Sequence, residues 1–86
     1  MKLQVGMPRS VVMYCRPGCI DCQLARNFLS QNRVTYTEVD IRVDPQGEAR
    51  VRRWTGGPLV TPVFDIDGKI IIDFRRAELE QALGLK

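Results

Sequence analysis

The chain has 86 residues, of which 44% are hydrophobic and 27% charged, and its formal net charge is +3. That length allows one domain, residues 1–86, with one small core, and it excludes large catalytic architectures such as a complete barrel. The composition is typical of a globular domain and excludes a disordered or fibrous chain.

The start of the chain, from Met1 to Pro8, contains no apolar run of the length that a signal peptide needs. No later segment reaches the length of a membrane span. We therefore expect a cytoplasmic protein that does not associate with membranes. In a reducing compartment, the three cysteines favour a catalytic or metal-binding role over a framework of structural disulfides.

The densest basic cluster consists of Arg50, Arg52 and Arg53. Aromatic residues are not interleaved with these arginines, so we do not expect a nucleic-acid partner. A solvated helix face is the favoured interpretation of the cluster. An electrostatic landing site for an acidic partner protein stays open as the alternative.

The first half of the chain is predicted to form a strand–helix–strand unit. Residues 10–14 read as a buried strand, residues 19–31 as a helix and residues 34–41 as a second strand. The apolar stripe of the helix is predicted to contain Leu24, Ala25, Phe28 and Leu29. Two strands joined through a helix are expected to be parallel.

The second half begins with Asp44 and Pro45, which are typical of a helix N-cap and the first helical position. This helix is predicted to run to about residue 55, before Gly56-Gly57-Pro58. Strands at 63–66 and 69–74 flank Asp67-Gly68, a strong hairpin signal. A helix at 77–83 completes the order β-α-β-α-β-β-α, which predicts an α/β fold with a four-stranded mixed sheet flanked by three helices.

Cys19 and Cys22 lie at the start of the first predicted helix, where a helix N-terminus favours an anion. The thiolate is the reactive form of cysteine, and backbone N–H groups and the charge of Arg16 add to its stabilisation. The pair predicts disulfide exchange in which Cys19 attacks a substrate disulfide and Cys22 releases the reduced product. A Cys19–Cys22 disulfide is then left for a reductant to reset.

The sequence is less consistent with other roles for the cysteines. A zinc ribbon needs a second pair of ligands, but the chain has no histidine and one further cysteine. Cys15, Cys19 and Cys22 have the spacing of a radical S-adenosylmethionine cluster motif, whose enzymes need a far larger barrel. An iron–sulfur cluster held between two subunits through Cys19 stays open. Cys15 is interpreted as an inert core residue because it ends the first strand.

The segment from Tyr14 to Cys22 resembles the active site of the glutaredoxin family, with a basic residue three positions before the first cysteine of C-x-x-C. Val60-Thr61-Pro62-Val63 resembles the family's loop with a cis proline. The resemblance extends from residue 10 to residue 85 and implies a thioredoxin/glutaredoxin-like fold. It also implies that the Thr61–Pro62 bond is cis and faces Cys19. The residues that it implies for binding glutathione or substrate are Arg16, Thr61 and Pro62.

Glutathione-using glutaredoxins usually carry Gly-Gly and an acidic residue after the last strand, where this chain has Ile72-Asp73-Phe74-Arg75. Phe74 and Arg75 instead resemble part of the Gly-Phe-Arg-Pro stretch of NrdH-redoxins, which are reduced by thioredoxin reductase and serve ribonucleotide reductase. Asp73 and Arg76 replace the glycine and proline of that stretch, and Phe74 and Arg75 are candidates for recognition. The resemblance implies a monomer without a bound cofactor or metal. The resemblance implies that the electron source of the protein is either glutathione or thioredoxin reductase with NADPH. The alternative function is an iron–sulfur cluster carrier.

Asp21 lies between the two cysteines of the pair. It is either a favourable acid in the first helical turn or a like charge that disfavours the thiolate and stabilises the disulfide. We expect the second effect to be measurable. Trp54, at the end of the second predicted helix, is expected to be a core residue rather than a partner contact.

Overall fold

A computed structural model describes residues 8–85 and shows the predicted order of elements. The strands are β1 (Val11–Cys15), β2 (Thr37–Asp40), β3 (Val63–Ile66) and β4 (Lys69–Ile72). The helices are α1 (Ile20–Gln31), α2 (Pro45–Thr55) and α3 (Arg76–Ala82). The opening segment considered above for a targeting signal lies, apart from Pro8, outside the described residues.

Within residues 8–85, the strands form one four-stranded mixed sheet in the order β2-β1-β3-β4. β1 and β2 are parallel, as the crossover through α1 requires, whereas the β1–β3 and β3–β4 pairs are antiparallel. The β3–β4 hairpin turns at Asp67 and Gly68, whose φ angles are 50° and 92°. Both angles are positive, as the predicted Asp-Gly hairpin requires.

The alternation of side chains along β1 divides the core into two layers. Met13 and Cys15 are fully buried in the layer that holds the inner residues of α1 and α3. Tyr14 lies in the opposite layer with Val51 of α2. The sheet is therefore sandwiched between α1 and α3 on one face and α2 on the other, which is the predicted α/β architecture.

Helix α2 confirms the predicted cap. The Asp44 carboxylate accepts the N–H groups of Gln46 and Gly47 at 3.1 and 3.0 Å, and Pro45 occupies the first turn. Gly47 is buried so close to β2 that a Cβ atom there would lie 2.8 Å from Val39 Cγ1. A residue without a side chain is therefore needed where α2 crosses β2.

The other side chains singled out on α2 have ordinary roles. Trp54 is half-buried and its ring meets that of Tyr14 edge-on, with 5.3 Å between centroids. Trp54 therefore packs against the edge of the core and is not one of its fully buried residues. Arg52 forms an ion pair with Glu48 at 3.1 Å on the exposed face of the helix, in agreement with a solvated basic face.

Two predicted strands are shorter in the structure. The second strand begins at Thr37 instead of residue 34, because the Val34 N–H donates to the Leu29 carbonyl at 2.9 Å and continues the end of α1. β4 ends at Ile72 instead of residue 74, because Asp73 turns the chain away with φ 76°. β1 and α3 are each displaced by one residue from their predicted bounds.

The apolar stripe of α1 also differs from the prediction. Leu24 is 48% exposed, whereas Cys22 and Ala25 are fully buried. The buried face thus runs through Cys22, Ala25, Phe28 and Leu29, which turns Leu24 to the solvent. No helix within residues 8–85 is long and apolar enough to span a lipid bilayer.

Candidate active site

Cys19 is the N-cap of α1 and is half-buried. The turn before it depends on Gly18, whose φ of 80° lies in the left-handed region that favours glycine. Cys19 itself is extended, with φ −88° and ψ 114°, and its Sγ accepts the N–H of Cys22 at 3.3 Å. A sulfur atom therefore occupies the place of the oxygen that usually caps a helix, at the positive end of the helix dipole.

Thr61 provides a second set of contacts to the same sulfur. Its Oγ1 lies 3.3 Å from Cys19 Sγ, and its carbonyl oxygen lies 3.5 Å away. A thiol donates to this carbonyl, whereas a thiolate accepts from the Thr61 hydroxyl and the Cys22 N–H. Thr61 and Pro62 are buried and joined by a cis peptide bond, which confirms the geometry that the family resemblance implied.

The charges near Cys19 differ from those expected. Arg26, which the sequence did not single out, donates to the Glu38 carboxylate at 2.7 Å. This hydrogen bond raises the pKa of Arg26 above its ordinary value, and the negative charge of Cys19 acts more weakly in the same direction. Arg16 is exposed and has no hydrogen bond or ion pair with the rest of residues 8–85. Asp21 is exposed in the first turn of α1.

Cys22 is bonded to Cys15, and Cys19 is the free cysteine. Both bonded residues are fully buried, and their Cα atoms are 6.1 Å apart, within the range of native disulfides. The disulfide in the structure is thus not the expected Cys19–Cys22 bond. Cys15 is buried as expected, but it is bonded to Cys22 and is not an unpaired core cysteine.

The position of Cys15 at the end of β1 explains this pairing. Alternation places its side chain on the face of Met13, towards α1, and Cys22 lies on the inner face of that helix. The sequence signal that could have placed Cys15 on the face of Cys22 was the alternation of side chains along β1, which puts residues 13 and 15 on the same side.

The segment after β4 is hydrogen-bonded to the cis-proline loop. The N–H of Asp73 donates to the Pro62 carbonyl at 2.8 Å. The N–H of Phe74 donates to the Asp73 carboxylate at 2.7 Å, and that of Arg75 to the Asp73 carbonyl at 3.1 Å. Asp73 has φ 76°, a left-handed conformation that aspartate adopts more readily than most residues. It replaces the glycine of the NrdH-redoxin stretch in a backbone conformation that suits glycine.

The two recognition candidates in this segment have different surroundings. Phe74 is half-buried, and its ring packs edge-on against Phe28 of α1 with 5.8 Å between centroids. Arg75 is exposed, with its Nε 3.2 Å from the Ile72 carbonyl. Phe74 therefore holds the segment against α1, and Arg75 is the accessible member of the pair.

No group of three or more cysteine, aspartate and glutamate side chains converges on a metal-binding position in the described part of the chain. Cys19 is the cysteine outside the disulfide, and its sulfur is held by hydrogen bonds. The structure thus brings together a half-buried cysteine sulfur at a helix N-terminus, a cis-proline loop beside it and a buried disulfide.

A mixed sheet of this order, with a cysteine at the N-cap of the first helix and a cis proline against it, defines a thioredoxin-fold redox protein. The family model described as glutaredoxin matches residues 11–71, so the chain belongs to the glutaredoxin family. The family resemblance read from the sequence is confirmed, and membership indicates oxidoreductase activity.

Individual relatives agree with this assignment. The chain is 26% identical over 73 residues to an uncharacterized glutaredoxin-like 8.6 kDa protein in the rubredoxin operon of Clostridium pasteurianum, covering 85% of this chain and 96% of that protein. Among solved structures, the thioredoxin-like protein BC3987 is 30% identical with a TM-score of 0.77, covering 86% of this chain and 100% of that one. The glutaredoxin of Methanosarcina mazei Go1 is 27% identical with a TM-score of 0.78, covering 92% and 82%.

Proposed function

We propose that this protein reduces disulfides by thiol exchange, with Cys19 as the nucleophile and Cys22 as the resolving thiol. The observation that carries the proposal is the set of contacts at Cys19 Sγ, which lies 3.3 Å from both the Cys22 nitrogen and Thr61 Oγ1. Two donors and the helix N-terminus favour the anionic sulfur. Because Cys19 is only half-buried, this sulfur is accessible to a substrate disulfide.

The reaction begins with all three cysteines reduced. The Cys19 thiolate attacks one sulfur of the substrate disulfide, whose S–S bond breaks, and the departing sulfur takes a proton from solvent. Cys22, after losing its proton, attacks Cys19 Sγ of the mixed disulfide and releases the second substrate thiol. Two electrons have then passed to the substrate, and a reductant must reopen the disulfide left in the protein.

The segment Asp73-Phe74-Arg75 favours thioredoxin reductase over glutathione as the electron donor. In glutathione-using relatives the corresponding Gly-Gly and acidic residue seat the γ-glutamyl end of the tripeptide. Here the N–H groups of all three residues are already bonded within the chain. A carboxylate approaching this segment would meet satisfied donors and the charge of Asp73, which disfavours its binding.

The surface beside the nucleophile favours a protein as substrate. Ile20, directly after Cys19, is 76% exposed, and Leu24, one turn further along α1, is 48% exposed. Exposed apolar side chains next to a reactive group are suited to contact with a partner protein. We propose a cytoplasmic monomer that reduces protein disulfides, with ribonucleotide reductase as the substrate that the NrdH-redoxin resemblance names.

The activity is tested by coupling the reduction of insulin disulfides to NADPH oxidation, once with thioredoxin reductase and once with glutathione and its reductase. We expect turnover with thioredoxin reductase, little with glutathione, and none with Cys19→Ser. Full turnover by Cys19→Ser would overturn the proposal, and equal turnover with both donors would overturn the choice of donor. Visible cluster absorbance after anaerobic purification would instead favour the iron–sulfur carrier.

The contribution of the apolar surface is tested separately with Ile20→Ser. We expect a higher KM for a protein disulfide and an unchanged rate with hydroxyethyl disulfide, since only the protein covers residue 20. Lys69→Ser is the matched control, because Lys69 is exposed and pairs with Ile66 at the end of the sheet opposite Cys15. An equal loss with both substrates would show that Ile20 acts on the chemistry and not on protein docking.

A further inference from the structure

We propose that Cys15 is a second resolving thiol. It attacks Cys22 in the Cys19–Cys22 disulfide, forms a Cys15–Cys22 disulfide and releases Cys19 as a free thiol. The inference rests on the function proposed above and adds a third sulfur to it. The observation behind it is the state of the cysteines: Cys22 is bonded to Cys15, while Cys19 is free and hydrogen-bonded at the mouth of α1.

The surroundings of the three sulfurs favour this arrangement. Cys15 and Cys22 have no exposed surface and lie in an apolar layer with Met13 and Ala25. A disulfide carries no charge and suits this layer. Cys19 Sγ has polar contacts to the Cys22 nitrogen and to both oxygens of Thr61. When the Cys15–Cys22 disulfide replaces the Cys19–Cys22 disulfide, the Cys19 sulfur, which has polar contacts, is therefore left as the free thiol or thiolate.

The step is an exchange within the protein. The Cys15 sulfur, after losing its proton, attacks Cys22 Sγ of the Cys19–Cys22 disulfide. The Cys15–Cys22 bond forms, the Cys19–Cys22 bond breaks, and the released Cys19 sulfur takes up the proton. No electron enters or leaves the protein, because one disulfide replaces another. The reverse step, attack of Cys19 on Cys22, returns the disulfide to the half-exposed position, where an external dithiol can reduce it.

Two consequences follow for the oxidised protein. It keeps a free nucleophile, so Cys19 can still form a mixed disulfide, now without a resolving neighbour. Its disulfide is fully buried, so an external reductant reaches it only through Cys19. Oxidation would thus convert the protein from a dithiol to a monothiol reactant while its fold is retained.

The test is alkylation of the oxidised protein under native conditions. The reduced chain is oxidised with one equivalent of hydroxyethyl disulfide, separated from small thiols, treated with iodoacetamide and weighed by mass spectrometry. We expect one alkyl group per chain, on Cys19. Cleavage before Asp21 separates Cys22 from the other two cysteines, and fragment ions then show which of Cys15 and Cys19 carries the label.

The matched control is Cys15→Ala, which should be oxidised to a Cys19–Cys22 disulfide and take up no label. If that variant fails to fold, the fragment ions of the wild type decide alone. An oxidised wild type that is unlabelled in the native state, and labelled on Cys15 only after denaturation, would overturn the inference. Such a result alongside normal turnover leaves disulfide reduction standing, whereas full turnover by Cys19→Ser removes both proposals.

Discussion

Helices α1 and α2 both begin with a side-chain N-cap, but the capping atom is sulfur in α1 and oxygen in α2. The cap of α2 is the Asp44 carboxylate, which accepts two N–H groups at 3.1 and 3.0 Å. The cap of α1 is the Cys19 sulfur, which accepts one N–H at 3.3 Å. Sulfur is the weaker acceptor but can form and break covalent bonds. One cap therefore serves stability alone, whereas the other gives up some capping strength for reactivity.

The surroundings of the two caps differ accordingly. Behind the cap of α2, Gly47 is buried against Val39, so that the helix start is held by packing. Cys19 is half-buried and faces the Thr61 hydroxyl across the cis-proline loop. Substitutions at the two helix starts should therefore separate stability from turnover.

The largest effect is expected from Cys19→Ser. Turnover in the NADPH-coupled assay should fall by roughly 10³-fold or more, because the nucleophile is lost. Stability should be unchanged or rise by up to about 1 kcal/mol in urea unfolding, because serine is among the best N-caps. A variant that loses stability instead would show that the sulfur, and not its capping position, holds the start of α1.

Gly47→Ala should have the largest effect on stability. The added methyl group meets Val39 Cγ1, and overpacking costs about 1–3 kcal/mol, against which alanine regains about 0.5–1 kcal/mol of helix propensity. Urea unfolding measures the balance, and turnover of the folded protein should not change. The double variant with Val39→Ala should lose less than the sum of the two single changes. A single variant more stable than wild type contradicts this packing.

Asp44→Ala should cost about 1 kcal/mol of unfolding free energy, the usual loss when a capping oxygen is removed. Turnover should stay at the wild-type value, since α2 packs on the other face of the sheet from the core layer that Cys19 contacts. The control is Asp44→Asn, which keeps a capping oxygen and most of the stability. If Asp44→Ala were as damaging to turnover as Cys19→Ser, the separation of the two helix starts would be wrong.

The smallest effect is expected from the acids in the first turns. Asp21→Asn removes a negative charge from the first turn of α1, two residues after Cys19, and should raise the thiolate fraction and make the active site more oxidising. The change should be a few-fold, since exposed charges at a helix start contribute about 0.3–1 kcal/mol. Thiolate absorbance at neutral pH measures it. Glu48→Gln, the corresponding change on α2, should leave the absorbance unchanged, and a decrease with Asp21→Asn would contradict the expectation.

Most of the fold was predictable because its signals are local. The Asp44-Pro45 cap and the Asp67-Gly68 turn each fix the backbone within a few residues. The errors occur where a contact between residues far apart in the sequence determines the local structure or the burial of a side chain. Val34 reads as strand, yet it is held by the end of α1. Leu24 fits an apolar stripe by spacing, but the angle at which α1 lies on the sheet selects Cys22 and Ala25 instead.

The sequence predicted the position of the candidate nucleophile, but not all of the residues that surround or bond to the active-site cysteines. Cys19 at the helix start and Thr61–Pro62 were both found from the sequence, the second through the family resemblance. The hydrogen bond between Arg26 and Glu38 depends on α1 passing beside β2. The bond between Cys15 and Cys22 depends on how α1 packs over the end of β1. The alternation of side chains along β1 indicates the face on which Cys15 lies, but it does not give the distance to Cys22.

The most direct test of the account is the rate at which each cysteine of the fully reduced protein reacts with limiting iodoacetamide under native conditions. The account predicts that Cys19 is alkylated first, with Cys15 and Cys22 unmodified on the same timescale, because only Cys19 combines exposure with donors to an anionic sulfur. Alkylation of Cys15 or Cys22 at the rate of Cys19 would contradict it.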